Sequence, residues 1–188
     1  MTVKLNVKNN ISLMVVLVFL LVPFVAQAQF SESWDFAKAV KEADYTKMAE
    51  KLNKGANINA RNAEGIPTIV VASDTGSARL IRYLLENGAN PNASITSSDE
   101  TALMRRADAG DMDSINILLE FGADINYANN TGETALMRAI RSRKRHVIRG
   151  LVDAGADLNK SDYTGRTAID YAEETRSSRV IKIITDAM

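Results

Sequence analysis

The chain has 188 residues, with 23 basic and 23 acidic side chains, one histidine and no cysteine. Residues 1–28 carry two lysines and no acid, so the rest of the chain holds 21 basic and 23 acidic side chains, a net charge of −2. This balance gives no general attraction to nucleic acid or to an anionic membrane. The absence of cysteine excludes disulfides and, with a single histidine, ordinary zinc sites.

Residues 1–28 have the order of features that is typical of a secretory signal peptide. Two lysines precede an unbroken apolar run from Leu13 to Val22, which ends at Pro23 and is followed by the small-residue site Ala26-Gln27-Ala28. The run is shorter than the roughly 20 residues of a membrane span, and a proline breaks it. We therefore predict a signal peptide over residues 1–28 that is cleaved after Ala28. The alternative is a retained anchor, because no charge interrupts the segment after the second lysine.

Two short motifs recur through the rest of the chain at a nearly fixed spacing. The first opens with Gly-Ala and begins at Gly55, Gly88, Gly122 and Gly155. The second keeps step with it and reads Pro67-Thr68-Ile69, Thr101-Ala102-Leu103, Thr134-Ala135-Leu136 and Thr167-Ala168-Ile169. A period of about 33 residues with these contents predicts a solenoid of stacked helix pairs.

Both motifs resemble the ankyrin repeat family, whose pattern joins Asp-x-x-Gly-x-Thr-Pro-Leu-His-x-Ala-Ala to a closing Gly-Ala-Asp-apolar-Asn. The resemblance covers nearly all of residues 29–188. It implies an all-α repeat solenoid of about five helix-turn-helix repeats joined by β-hairpin-like loops. Capping repeats are expected at residues 31–60 and 162–188, and inner repeats at 62–94, 95–128 and 129–161.

Several residues depart from the family pattern. Pro67-Thr68 reverses the usual order, which allows the following helix to slip by one residue. Asp99 replaces the turn glycine and predicts a different turn there. Met104 and Met137 replace a histidine, so that packing takes the place of polar bonding. The threonine of each Thr-x-Leu motif is predicted to cap its helix.

Three further features have two interpretations each. Arg106 stands where the family has alanine and must reach solvent or pair with an acid such as Asp74 or Asp108, so either strain or function explains it. The basic turn at residues 141–146 is a solvated loop near a helix C-terminus or, alternatively, a patch for an anion, phosphate or acidic partner. Trp34 is expected to seal the end of the core, with partner recognition as the alternative.

Nothing in the sequence predicts catalysis. His146 is the single histidine, and no nucleophile on a strained turn lies near it. The carboxylate pairs lack the spacing of a calcium loop, and no glycine-rich loop could cradle a phosphate. We therefore predict a protein that is not an enzyme and that uses no metal or cofactor.

The resemblance implies a non-catalytic protein–protein interaction module that binds through the concave face of the inner helices and hairpin tips. The family's variable surface positions correspond to Ala63, Glu64, Ile66, Asp74, Ser97, Ser98, Glu100, Asp108, Asn130, Thr131, Glu133, Arg141, Tyr163, Thr164, Arg166 and Glu174. Acids dominate the first half of this set, and basic groups with Tyr163 the second. We therefore expect a partner with a basic patch toward one end and an acidic patch toward the other, with Tyr163 as the aromatic anchor.

Three roles are compatible with the sequence. Similar exported ankyrin proteins of bacteria support periplasmic enzymes, including in oxidative stress. The resemblance thus implies a periplasmic adaptor or protector that acts as a monomer on a protein partner, without nucleic acid or membrane. One alternative is a secreted effector or inhibitor of a foreign protein. The other is a membrane-tethered scaffold, if the leader is retained.

Overall fold

Five helix pairs follow one another along the chain in the computed structural model, which describes residues 31–188. The helices are α1 (including residues 31–41), α2 (Tyr45–Asn53), α3 (Thr68–Asp74), α4 (Ala78–Glu86), α5 (Ala102–Ala109), α6 (Met112–Glu120), α7 (Ala135–Arg141), α8 (Arg145–Asp153), α9 (Ala168–Glu174) and α10 (Ser178–Thr185). The predicted all-α repeat solenoid is confirmed. The predicted signal peptide lies outside the described residues.

The helices form two layers because each repeat packs on the next in the same register. The inner helices α3, α5, α7 and α9 contact one another in order, and so do the outer helices α4, α6, α8 and α10. The outer helices bury one stripe each, formed by side chains such as Leu84, Leu118, Leu151 and Val180. Full burial of such a side chain contributes about 1.5–3 kcal/mol. One repeat alone could not supply enough burial, so stability comes from stacking.

The Gly-Ala motif carries a ladder of side-chain hydrogen bonds that joins neighbouring repeats. The amide oxygen of Asn59 accepts the N–H of Asn90 at 2.8 Å. The same bond recurs one repeat later from Asp124 to Asn92, at 2.7 Å, and again from Asp157 to Asn126, at 2.9 Å. The regular spacing of this motif therefore has a direct cause: each asparagine satisfies the backbone of the next repeat.

The loops between repeats are short hairpins without extended strands. Backbone N–H groups of Asn62, Asn129 and Asp162 each donate to a carbonyl four residues ahead, at 2.9–3.0 Å. In repeat three the equivalent bond runs from Ile95 to Glu100 and spans five residues. This turn differs from the others, as predicted, while Asp99 adopts the positive φ of 54° that a glycine would take.

The predicted threonine caps are confirmed at two of the inner helices. Thr101 and Thr134 accept the N–H groups of Met104 and Met137, both at 3.4 Å. Both methionines are buried, and the sulfur of Met137 in turn accepts the N–H of Thr134. Thr167 is held differently, because its N–H donates to the carboxylate of Asp170 at 2.7 Å.

The register slip that the sequence allowed in repeat two does not occur, and the role expected of Trp34 is wrong. Helix α3 begins at Thr68, with Pro67 at its N-cap position. Thr101 holds the same position in the next repeat, so the register of α3 has not slipped. Thr68 points back to the carbonyl of Ile58 instead of capping the helix. Trp34 is 47% exposed and does not seal the core, whereas Phe36 and Met48 are fully buried.

Candidate protein-binding groove

A groove crosses the inner helices and collects most of the predicted binding residues. It consists of two adjoining hollows of about 420 and 320 Å³, which share Glu100 and Arg138. We call it the inner groove. The predicted residues that line it are Asp74, Ser98, Glu100, Asp108, Asn130, Thr131, Glu133, Arg141, Thr164 and Arg166.

The remaining predicted residues do not line these hollows. Ala63, Glu64 and Ile66 surround the hairpin tip of repeat two, and Ser97 and Tyr163 lie on later tips. Glu174 lies at the end of α9, where it accepts a hydrogen bond from Arg166 at 3.1 Å. The structure therefore brings most of the predicted residues of the inner helices together and leaves Ala63, Glu64 and Ile66 of repeat two, with three residues of later repeats, outside the groove.

Stacking in register arranges the groove residues in columns. Glu100, Glu133 and Arg166 each directly precede the threonine that starts an inner helix. Four residues after that threonine, a second column consists of Arg105, Arg138 and Tyr171. The first column of one repeat faces the second column of the next, so Glu100 contacts Arg138 and Glu133 contacts Tyr171.

Arginine side chains pair with most of the acids of the groove. Arg138 lies between two glutamates: its Nε is 2.9 Å from a carboxylate oxygen of Glu133, and its Nη2 contacts Glu100. Arg105 pairs with Asp74 at 3.2 Å and with Glu100 at 3.4 Å. Two of the acids that were expected to form one end of a charge pattern, Asp74 and Glu100, are thus already paired within the chain.

Glu133 requires a correction, since it was expected to face outward. It is only 7% exposed, because Arg138, Arg141 and Tyr171 enclose its carboxylate. A buried carboxylate is strongly destabilising unless it is paired and hydrogen-bonded. Glu133 therefore organises the groove and offers little surface to a partner.

The last repeat holds a buried polar cluster around Asp162. One oxygen of Asp162 accepts hydrogen bonds from Tyr171 and from Arg166, each at 2.8 Å. Burial acts to raise the pKa of Asp162, but the donors Thr164, Arg166 and Tyr171 outweigh it and hold that pKa well below its ordinary value. Burial, with the negative charges of Asp162 and Glu133, raises the pKa of Tyr171, so its hydroxyl stays protonated.

Four residues of this network were not predicted from the sequence: Arg105, Arg138, Asp162 and Tyr171. They fall on helix or turn positions that the family pattern treats as structural. A usable signal was present, because Glu100 and Arg138, like Glu133 and Tyr171, are separated by 38 residues. One repeat plus five residues is therefore the spacing at which groove partners meet.

Tyr163 is an exposed aromatic side chain beside the inner groove, with 74% of its surface open to solvent. Its N–H donates to the carbonyl of Thr131 at 3.1 Å, which stacks its hairpin tip on the preceding one. The ring lies against Gly132, where an added Cβ would come within 2.8 Å of the ring atom Cδ1. The tyrosine is thus exposed and yet supported by backbone.

Arg106 finds neither of its predicted partners. Asp74 pairs with Arg105, and Asp108 accepts a hydrogen bond from Ser142. Arg106 itself is 8% exposed, and its Nη1 lies 3.7 Å from a carboxylate oxygen of Asp111. The side chain is therefore almost fully buried, and only a small part of it lines the smaller hollow of the inner groove.

The basic turn at residues 141–146 contacts the repeats on both sides. Arg143 adopts a positive φ of 55° and donates to the carbonyl of Thr175 at 2.9 Å. On the other side, Nε2 of His146 lies 2.8 Å from the carbonyl oxygen of Gly110. The turn is thus held in place, although several of its side chains remain exposed.

The described part of the chain offers neither a metal site nor a membrane-spanning helix. Residues 31–188 contain no group of three or more histidine, aspartate or glutamate side chains arranged to hold a metal ion. Within the same range, none of the helices has the length and apolar character needed to cross a bilayer.

Comparison with known proteins identifies the family. A family model described as "Ankyrin repeats (3 copies)" matches residues 36–129 and again residues 103–187. The chain belongs to the ankyrin repeat family. Proteins of this family are generally protein–protein interaction modules and typically non-catalytic.

Two relatives are similar to parts of the chain. An ankyrin repeat protein of Fowlpox virus (strain NVSL) is 30% identical over 96 residues, which is 50% of this chain and 16% of that protein. The Ankyrin repeat and KH domain-containing protein 1 of Homo sapiens is 36% identical over 82 residues, which is 43% of this chain and 3% of that protein. The matched region thus spans less than a fifth of either relative.

Proposed function

We propose that this chain is an exported adaptor or protector that binds a protein partner in the periplasm, without catalysis, through Tyr163 and the inner groove. The observation that carries the proposal is the exposed, backbone-supported ring of Tyr163. Tyrosine is enriched among residues that dominate binding energy, since it buries a large area at a small loss of rotamer freedom. The protein acts as a monomer in this proposal.

The inner groove adds specificity to this anchor. Its acids and arginines are held by one another, so their remaining donors and acceptors have defined positions before a partner arrives. Preorganised polar groups lose little entropy on binding. Asn130 and Thr164, exposed beside Tyr163 and the groove, can add hydrogen bonds at its rim.

The proposed export depends on residues 1–28. We expect mass spectrometry of the protein purified from its source cells to show a chain that starts at Gln29. A chain that keeps residues 1–28 would instead support the membrane-tethered scaffold. Recovery chiefly from the medium, and not from the periplasmic fraction, would support the secreted effector or inhibitor.

Crosslinking in a periplasmic fraction of the source cells, followed by affinity measurement with the captured protein, tests the binding surface. We expect Tyr163→Ala to weaken the affinity at least roughly tenfold, since an anchor of this kind carries much of the binding energy. Met188→Ala is the matched control, because Met188 is exposed to a similar extent, 70%, at the chain end. Equal affinities of the two variants would show that Tyr163 is not the anchor.

Arg166→Ala is not a suitable probe of this surface. The guanidinium of Arg166 donates to Asp162 and lies 4.7 Å from the ring centre of Tyr171. Its removal would disturb a buried cluster, so a loss of binding could reflect a loss of folding.

A further inference from the structure

A second groove lies between the outer helices α8 and α10, in the other helix layer from the inner groove. Its volume is about 990 Å³, and we call it the outer groove. The cations that line it are Arg143, Lys144, Arg145, Arg149, Arg179 and Lys182. The first three belong to the basic turn, but Arg149, Arg179 and Lys182 come from the helices and were not connected with it by sequence.

Most of this positive charge has no internal partner. Among residues 31–188, Lys144, Arg145, Arg149 and Arg179 form no ion pair, whereas Lys182 pairs with Asp186 at 3.0 Å. The arginines of the inner groove, by contrast, are all matched with acids. Residues 29–188 carry a net charge of −2, so unpaired cations have gathered here against the overall balance.

The positions of these cations are unfavourable for the helices themselves. Lys144 and Arg145 stand at the start of α8, and Arg179 is the second residue of α10. The N-terminus of a helix carries partial positive charge, so basic side chains there reduce helix stability. Repulsion between neighbouring cations adds to this cost. An external anionic group would remove both penalties.

The rest of the groove restricts what that anionic partner is. Val152 and Ile183 are half-buried and give the groove apolar surface between its basic walls. Asp153 and Asp186 line the groove at the C-terminal ends of the two helices. A nucleic acid strand, which is negative along its whole length, would meet these two acids and leave the apolar surface unmatched.

We infer that the outer groove binds an acidic protein segment that also carries apolar side chains. Its carboxylates lie at the end formed by Lys144, Arg145, Arg149 and Arg179, and its apolar side chains cover Val152 and Ile183. This surface is separate from Tyr163, so the inference is independent of the proposed function. The chain would then hold two protein segments at once, one in each helix layer.

A labelled peptide tests the inference directly. The probe is a fluorescein-labelled 12-residue peptide of glutamate interspersed with leucine, titrated with the chain of residues 29–188 and followed by fluorescence anisotropy. We expect binding that weakens as salt is raised from about 0.05 to about 0.5 M, because salt screens exposed charges. The same peptide with glutamine in place of glutamate should bind at least roughly tenfold more weakly.

Paired charge reversals locate the site. Arg149→Glu with Arg179→Glu should weaken peptide binding at least roughly tenfold, while Lys38→Glu with Lys41→Glu, an equal charge change at exposed positions of α1, should change it less than about twofold. Tyr163→Ala should leave peptide binding unchanged. The melting temperature of the first variant is expected to stay level or rise, because Arg149 and Arg179 form no ion pair and a glutamate at position 179 suits the N-terminus of α10.

Several results would overturn the inference. One is the absence of peptide binding at low salt, and another is an equal loss in both charge-reversal variants. A third is tighter binding of a single-stranded oligonucleotide, or of phosphatidylserine-containing vesicles, than of the acidic peptide. Either of the last two ligands would assign the groove to a nucleic acid or to a membrane surface.

Discussion

Asp162 closes the last hairpin and also anchors the inner groove. Its two oxygens accept hydrogen bonds from the backbone of Thr164 and Arg166 and from the side chains of Arg166 and Tyr171. Its pKa is lowered in the folded chain, so its contribution to stability is fully present above the unfolded-state pKa near 3.9 and is lost as the pH falls below it.

Asp162→Asn is therefore expected to destabilise the chain by about 2 kcal/mol at neutral pH, because the charged acceptor is lost. Urea denaturation measures this difference. Repeated below about pH 4, the same comparison should give a smaller difference, because Asp162 then binds a proton in the unfolded chain while it stays charged in the folded one. Asp113→Asn, at an exposed position of α6, serves as the control. A difference that stays constant with pH would contradict the role assigned to Asp162.

Arg106 is the one arginine that is buried within residues 31–188, and its loss leaves no acid without a hydrogen-bond partner. Its Nε is buried without a hydrogen-bond partner, like those of Arg105 and Arg138, but its one acid, Asp111, lies as far as 3.7 Å away. Its neighbour Asp111 already accepts the N–H of Ser114 at 3.1 Å and the hydroxyl of Ser114 at 2.7 Å. The sequence left two explanations for Arg106, strain and function. These contacts support strain, because the buried guanidinium is poorly paired.

We expect Arg106→Met to lie within about 1 kcal/mol of the unmodified chain or to be more stable, because an apolar side chain avoids the cost of a poorly paired buried charge. Arg138→Met is the matched comparison, and it should destabilise by about 3 kcal/mol, since it removes the cation that Glu100 and the buried Glu133 share. Equilibrium unfolding in urea measures both. A larger loss for Arg106→Met than for Arg138→Met would refute this account.

At the scale of elements, the hairpin tips contact one another through backbone. Gly132 and Gly165 occupy equivalent positions, with φ of 82° and 88°. A Cβ on Gly132 would come within 2.6 Å of the backbone nitrogen of Tyr163, whereas one on Gly165 would meet nothing within 4 Å. The two glycines thus share the same backbone conformation. They differ in that only Gly132 lies against the next hairpin tip.

Gly132→Ala should consequently destabilise the chain more than Gly165→Ala. Both variants carry the strain of a positive φ, which costs about 1–3 kcal/mol. Only the first also pushes the next hairpin tip away, and the difference between their unfolding free energies measures the tip-to-tip contact. Indistinguishable values would mean that stacking of the tips adds nothing to stability.

The elements themselves could be predicted because the repeat fixes them locally. A capping threonine, a turn glycine and the Gly-Ala motif each have a local physical role, so their recurrence locates helices and loops before any tertiary contact is known. Groove contacts could not be predicted in the same way. They depend on which column of one repeat faces which column of the next, as Glu133 and Tyr171 show.

Residues that depart from the repeat pattern were predicted correctly where their role is local and wrongly where it depends on tertiary packing. Asp99 behaves as a local substitution, since it adopts the conformation that the turn imposes. Arg106 was assigned the wrong acids, because its surroundings are set by the packing of α5 on α6 and not by its own repeat position. Trp34 was expected in the core because it is a large aromatic residue, and the structure leaves it half exposed.

At the scale of the whole molecule, stability should vary along the stack. Repeats in the middle bury two faces, while the last repeat buries only one. Helices α5–α8 are therefore expected to show the slowest amide hydrogen exchange and α10 the fastest, which mass spectrometry of exchanged peptides would measure. Uniform protection along residues 31–188 would indicate a single cooperative unit and would contradict this expectation.

The ladder of asparagine side chains has a consequence for how such a protein changes length. Each asparagine accepts an equivalent backbone N–H from the repeat that follows, so this bond would form between any two of these repeats placed next to each other. Excision of residues 122–154 would bring Asp157 to the position that Asp124 now occupies beside Asn92. Duplication of the same stretch would add a rung of the same kind. Gain or loss of whole repeats by recombination thus preserves the hydrogen bonds between neighbouring repeats. An insertion of a few residues within one repeat does not.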